Sequence, residues 1–110
     1  MRVLIASKTL KVTQSLRKFA KEQALKLEKL GQRISKVQVF LEKLVTNSKR
    51  DRNALVKYVV DLPGEILVTK CKGADMYKAL TNATDKVIRQ TRKFKEKRLK
   101  KQRRLMRRPN

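Results

Sequence analysis

The spacing of apolar residues changes several times along the chain, and each change marks an element. Val3, Leu4 and Ile5 make a short β-prone run that predicts a strand over Arg2 to Ala6. Thr13 then offers a helix N-cap, and Leu16, Phe19, Ala20, Ala24, Leu27 and Leu30 recur at three- and four-residue steps until Gly31 closes the segment. This predicts an amphipathic helix from about Thr13 to Leu30, with Lys18, Lys21 and Lys29 on its polar side among Glu22 and Glu28. From Ile34 the period falls to two. Val37, Val39 and Leu41 alternate with Lys36, Gln38, Phe40 and Glu42, as in a half-buried strand.

Thr46 to Asn53 is a polar loop, followed by a second alternating run in which Val56, Tyr58 and Val60 oppose Leu55, Lys57 and Val59. Leu62-Pro63-Gly64 signals a turn, so Ile66 to Lys72 returns as the second arm of a hairpin that Gly73 ends. Asp75 opens the last element, where Met76, Leu80, Ala83, Val87, Thr91 and Phe94 mark one apolar helical face. No Pro or Gly interrupts 74–108, so this helix can run past Phe94, although few apolar anchors hold its last turns and fraying is expected there. The order β-α-β-β-β-α predicts one α+β domain, with two helices packed on one face of a four-stranded sheet. Residues 1–97 form the domain, and 98–110 a basic tail continuing the last helix or trailing from it.

Charge changes the picture most. Among 110 residues, 31 Lys and Arg face nine Asp and Glu, for a net charge of +22. Solubility alone needs a magnitude of only about 2–8, so the excess implies a polyanionic partner. At about 100° per residue, Lys86, Arg89, Lys93, Lys97 and Lys100 form a stripe roughly opposite Leu80, Val87 and Phe94, with Arg92 beside it. Like charges at these steps cost a few tenths of a kcal/mol per pair. Among the last 25 residues, 13 cations accompany one acid, Glu96, whereas a merely solvated helix face mixes signs. Phosphate is the anion that would relieve this repulsion. Lys18, Lys21 and Lys29 form a second, acid-diluted set.

Several functions are disfavoured. There is no histidine, which removes the commonest general base and the commonest zinc ligand. The nine acids (Glu22, Glu28, Glu42, Asp51, Asp61, Glu65, Asp75, Asp85 and Glu96) are scattered, with no adjacent pair to suggest a metal-dependent nuclease. No catalytic residue, cofactor, metal site or small-molecule substrate is expected. The lone Cys71 excludes an internal disulfide, and the apolar start is too short for a signal peptide, so a cytoplasmic location is expected. No apolar run spans a bilayer, and Leu99, Leu105 and Met106 are a thin face for membrane insertion.

RNA is favoured over DNA because no helix-turn-helix pair, Cys/His finger or zipper is present. Two helices on a small antiparallel sheet are similar to the double-stranded-RNA-binding domain, which reads shape and phosphates. The aromatics (Phe19, Phe40, Tyr58, Tyr77 and Phe94) are sparse, and no single-strand stacking signature like that of an RNA-recognition motif stands out. The competing reading is a generic duplex-RNA binder or a ribosomal-protein-like structural component.

The segment Gly73-Ala74-Asp75-Met76-Tyr77-Lys78-Ala79-Leu80, with Asp85-Lys86-Val87 and Arg89-Gln90-Thr91-Arg92-Lys93-Phe94-Lys95-Glu96-Lys97 after it, resembles the ribosome hibernation-promoting factor family. That family includes the ribosome-associated inhibitor (protein Y) and was once called the sigma-54 modulation proteins. Upstream, Val12-Thr13 with Ser15-Leu16-Arg17, and Leu62-Pro63-Gly64-Glu65, extend the likeness over about Arg2 to Lys97. Thr81 stands where the family usually has Asp, Leu80 replaces Ile, and Thr69 and Cys71 replace small Ala residues; Asn82, Thr84 and Ile88 also differ. The resemblance implies docking to the small ribosomal subunit and its rRNA, in the channel between head and body. There the protein would overlap the mRNA and tRNA sites and keep idle ribosomes silent. Members with a C-terminal dimerisation domain pair ribosomes through it. The likeness here is to the short form, for which no such domain is expected.

Overall fold

The period-two segments form the strands. The computed structural model describes residues 1–8, 11–30, 33–44 and 54–106. In chain order these give β1 (Arg2–Ser7), α1 (Gln14–Leu25) with a 3₁₀ turn at Lys26–Leu30, β2 (Lys36–Lys43), β3 (Ala54–Leu62), β4 (Glu65–Gly73) and α2 (Met76–Met106). The expected loop over Thr46–Asn53, the stop at Gly31 and residues 107–110 lie outside the described residues.

The sheet has the order β1-β2-β3-β4. β2-β3 and β3-β4 pair antiparallel, but β1 pairs parallel with β2, placing Val3 beside Val37 and Ile5 beside Val39. The antiparallel sheet expected from the pattern is therefore a mixed one. A helical connection carries the chain from the end of β1 back to the start of β2, as a parallel neighbour requires. Between β3 and β4, Pro63 and Gly64 form a two-residue turn. Proline fixes a negative φ and Gly64 adopts φ 75, the signs of a type II turn.

Alternation then separates two faces. Val37, Val39, Leu41, Val56, Tyr58 and Val60 turn inward and are at most 1% exposed. Over them lie Leu16, Ala20, Ala24 and Leu27 from the first helical segment and Ala79, Leu80, Ala83 and Val87 from α2. Both helices therefore pack on one face, as expected. Thr13 caps α1, its hydroxyl accepting from the Leu16 N–H at 3.2 Å; Asp75 caps α2, accepting from the Lys78 N–H at 2.8 Å.

The last turns of the first helix tighten to 3₁₀ at Lys26, short of the α-helical end expected at Leu30. Because 3₁₀ side chains three apart eclipse, Leu27 and Leu30 still share the inner face. At the other junction, a Cβ on Gly73 would stand 2.8 Å from the Ala79 backbone nitrogen, so glycine permits the close approach of β4 and α2.

α2 has 31 residues, about 46 Å at 1.5 Å per residue. Thr91 is fully buried and Phe94 partly so, but described side chains from Lys95 to Lys101 are all exposed. The helix continues through Met106, beyond its last core anchor.

Candidate nucleic-acid interface

The cations of α2 owe their placement to three contacts that fix how the helix is rotated. Towards α1, the Tyr77 ring meets Phe19 with centroids 5.0 Å apart. Towards the sheet edge, Lys86 Nζ donates to the Lys70 carbonyl at 3.4 Å, and the Thr69 hydroxyl bonds Gln90 Oε1. At about 100° per residue, Lys86, Lys93 and Lys97 lie roughly 160–180° around the helix from Tyr77. The stripe thus runs along the flank of α2 that overhangs β4, on the side away from α1. This refines the expectation that it lies opposite the apolar face: it borders that face, with Gln90 and Phe94 between.

Lys93, Phe94 and Lys97 join Glu65, Leu67 and Val68 around a shallow concavity of about 280 Å³. Here a carboxylate sits among the candidate cations, which the sequence stripe alone did not reveal. Arg89, Arg92 and Lys100 are exposed on the same helix, Arg92 about 60° around it from Tyr77 and so off this flank. Lys18 and Lys21 are exposed on α1 and Lys29 on the 3₁₀ turn. The Phe19–Tyr77 contact shows which side of α1 meets α2, and Lys18 and Lys21 lie on other sides. The fold therefore gathers Lys86, Lys93, Lys97 and Lys100 along one flank, leaves Arg92 off it and keeps the α1 set apart from it.

Lys86 is partly committed. β4 is an edge strand, and its Lys70 carbonyl faces no further strand. The Lys86 ammonium covers that acceptor while remaining exposed, so a phosphate could share it without breaking the core. Inside, Tyr58 donates to or accepts from Thr84 at 2.8 Å, and Thr84 also donates to the Leu80 carbonyl at 2.7 Å. Burial pushes the Tyr58 phenol up to about 12, the Thr84 hydrogen bond opposing this in part. This interaction ties β3 to the N-terminal third of α2, on the side of the helix away from the cation flank. Its place was not legible in the sequence, where Tyr58 reads only as one more inward residue.

The open sheet face holds residues that charge-stripe reasoning missed. The register aligns Ala6, Phe40, Lys57 and Lys70 across the four strands, with Leu4, Gln38, Val59 and Val68 in the next inward-skipping row. The signal was present as the outward half of each alternation, but only the register makes it a surface. Among the described residues, no group of three or more His, Cys, Asp or Glu could hold a metal ion.

A strongly basic α+β domain, with two helices over a mixed sheet and a cation-lined helix flank, is the class these features define. The chain belongs to the Sigma 54 modulation protein / S30EA ribosomal protein family, whose model matches residues 3–99. It is 32% identical over 97 residues to a ribosome hibernation promoting factor of Pseudomonas putida, covering 88% of this chain and 89% of that one. It is also 32% identical over 102 residues to the factor of that name from Azotobacter vinelandii, covering 93% and 90%.

Among solved structures, the N-terminal domain of Thermus thermophilus Protein Y matches with TM-score 0.69 and 26% identity, over 86% of this chain and 99% of that one. A ribosomal subunit interface protein from Coxiella burnetii has the same fold, with TM-score 0.70 at 20% identity over 87% and 99%. The family likeness and the α+β fold class read from the sequence are both borne out. The family match stops at residue 99, whereas α2 continues to Met106.

Proposed function

We propose that this chain is a ribosome hibernation factor that binds the small subunit through its rRNA, occupies the mRNA/tRNA channel and holds idle ribosomes silent. The observation that carries this reading is the family match over residues 3–99, together with relatives named for ribosome hibernation. The charge supports it physically. A net +22 concentrated on exposed faces favours a polyanion, and release of condensed counterions supplies much of the binding free energy.

In this reading Lys86, Arg89, Arg92, Lys93, Lys97 and Lys100 meet phosphates from α2, and Lys18, Lys21 and Lys29 make a separate set of contacts. Residues 1–97 act as the ribosome-binding domain and 98–110 as a basic extension. The action is steric occlusion in the cytoplasm and needs no catalytic group, cofactor or metal. The absence of histidine and the scattered acids support a non-enzymatic role.

Sedimentation of purified ribosomes with the protein tests this. The wild-type chain should travel with the small subunit, and neutralising about six phosphates should give a slope of log affinity against log salt of about −4 to −5. Charge reversal at Lys86, Arg89 and Lys93 should flatten that slope by about three and release the protein at moderate salt, with far-UV circular dichroism unchanged. Undiminished co-sedimentation of the triple variant would remove the α2 flank as the contact surface. Equal affinity for any RNA duplex of the same length would replace the ribosome-specific reading with a generic one.

A further inference from the structure

The face of the sheet without helices carries an aromatic, cationic and carboxylate arrangement of its own. Phe40 is 36% exposed there, and its cross-strand neighbour Lys57 places Nζ 5.7 Å from the ring centroid. Next to the ring, among the described residues, is a concavity of about 470 Å³ whose walls include Lys8, Phe40, Glu42 and Lys57. That volume lies in the range that holds small organic ligands, roughly 300–1,000 Å³. In the next row of the same face, Leu4 is 44% exposed and, out on edge strand β4, Val68 is 53% exposed. Such a surface is costly to leave wet, and among the described residues no element packs over it.

The charge around this patch selects the occupant. Arg2, Lys36, Lys57, Lys70 and Lys72 lie on the outward side of the strands, against Asp61 and Glu42. A second copy of the same face would bring those cations together. A nucleic acid strand brings phosphates instead, and unpaired bases offer flat apolar rings to an exposed aromatic.

We propose that the open sheet face is a second nucleic-acid site, taking an unpaired RNA nucleotide whose base stacks on Phe40 and whose phosphates meet Lys57 and Lys8. Glu42, two residues along β2 on the same side, accepts from an amino group on the base edge. Carboxylates pair in this way with the cytosine amino group. The site therefore prefers a base with an exocyclic amine over uracil. This site rests on the same reading, that the partner is RNA, but uses none of the helix cations.

The chain contains no tryptophan, so Phe40→Trp introduces a single reporter. Short oligocytidylate should quench its emission at low salt, and oligouridylate should bind more weakly. Phe40→Ala should weaken oligocytidylate binding roughly 5- to 100-fold, the usual range for losing one stacked base. The same variant should leave affinity for blunt duplex RNA unchanged, whereas charge reversal on α2 should do the opposite. Unaltered emission at saturating oligocytidylate, or unaltered affinity in Phe40→Ala, overturns the proposal. So does concentration-dependent self-association that Phe40→Ala abolishes, since the face would then be a contact between copies. Co-sedimentation with ribosomes without single-strand binding refutes this inference alone; loss of both refutes the ribosomal reading with it.

Discussion

On β3, Val56, Tyr58 and Val60 are fully buried, while Leu55, Lys57 and Val59, each one residue away, are only partly covered. On β4 the contrast is sharper: Thr69 is 2% exposed and Val68 is 53%. The strands are the same and their backbone bonds are the same, so the difference is what lies above each face. The inner face must satisfy two helices at once, and its few polar groups are paired, Tyr58 with Thr84 and Thr69 with Gln90. The outer face is asked for nothing by the fold. Its mixture of Phe40, exposed aliphatics and lysines is therefore not set by core packing.

The largest effect that separates the faces is truncation of one aromatic on each. Tyr58→Ala removes a fully buried ring and should destabilise by about 3–5 kcal/mol. Phe40→Ala should cost about 1 kcal/mol or less, since only partial burial and a surface cation–π contact are lost. Urea unfolding monitored by circular dichroism measures both. Equal losses would mean that the open face is structural and would erase the distinction.

Alkaline titration sharpens it further. The Tyr58 phenol is protonated in both states below its ordinary value of 10.0. Between 10.0 and about 12 the unfolded chain releases that proton while the folded one keeps it. Stability should therefore fall with rising pH across this window, by up to about 2–3 kcal/mol, and level off above it. Denaturant midpoints at stepped pH would show this as a slope missing from Tyr58→Phe. A slope that survives in Tyr58→Phe would assign the alkaline loss to other groups.

Much of this contrast was legible in the sequence, because period-two alternation names the inward residues directly: Val37, Val39, Val56, Tyr58 and Val60 all proved to be core. The helical stripes did the same for Leu16, Ala24, Leu80 and Val87. Pairing direction was not legible, since alternation is identical in parallel and antiparallel strands and β1 joins the sheet through a crossover. Nor was the flank occupied by Lys86 and Lys93. A helical wheel fixes angles between residues but not which neighbour lies beside each one, and that needed the Tyr77 and Lys70 contacts. The cluster at Phe40 was hidden for a related reason. Lys57 lies 17 positions away and reaches the ring only through the β2–β3 register.

The smallest and sharpest comparison uses adjacent residues of β4. Val68→Thr on the open face exchanges a methyl for a hydroxyl that water can satisfy, and β-branching is retained, so stability should change by about 0.5 kcal/mol or less. Thr69→Val is the reverse exchange on the covered face. It keeps the volume and adds apolar surface to a buried position, yet it strips the partner from Gln90 Oε1 where α2 crosses the strand. An acceptor left without its donor in a half-buried setting costs about 1–3 kcal/mol, which outweighs the gain from one methyl at roughly 0.8 kcal/mol. A net loss of about 1 kcal/mol is expected for Thr69→Val, against almost none for Val68→Thr. If Thr69→Val were instead stabilising, the clasp between β4 and Gln90 would not hold the cation flank in place, and the orientation of Lys86 and Lys93 would rest on the Phe19–Tyr77 contact and the Lys86–Lys70 bond.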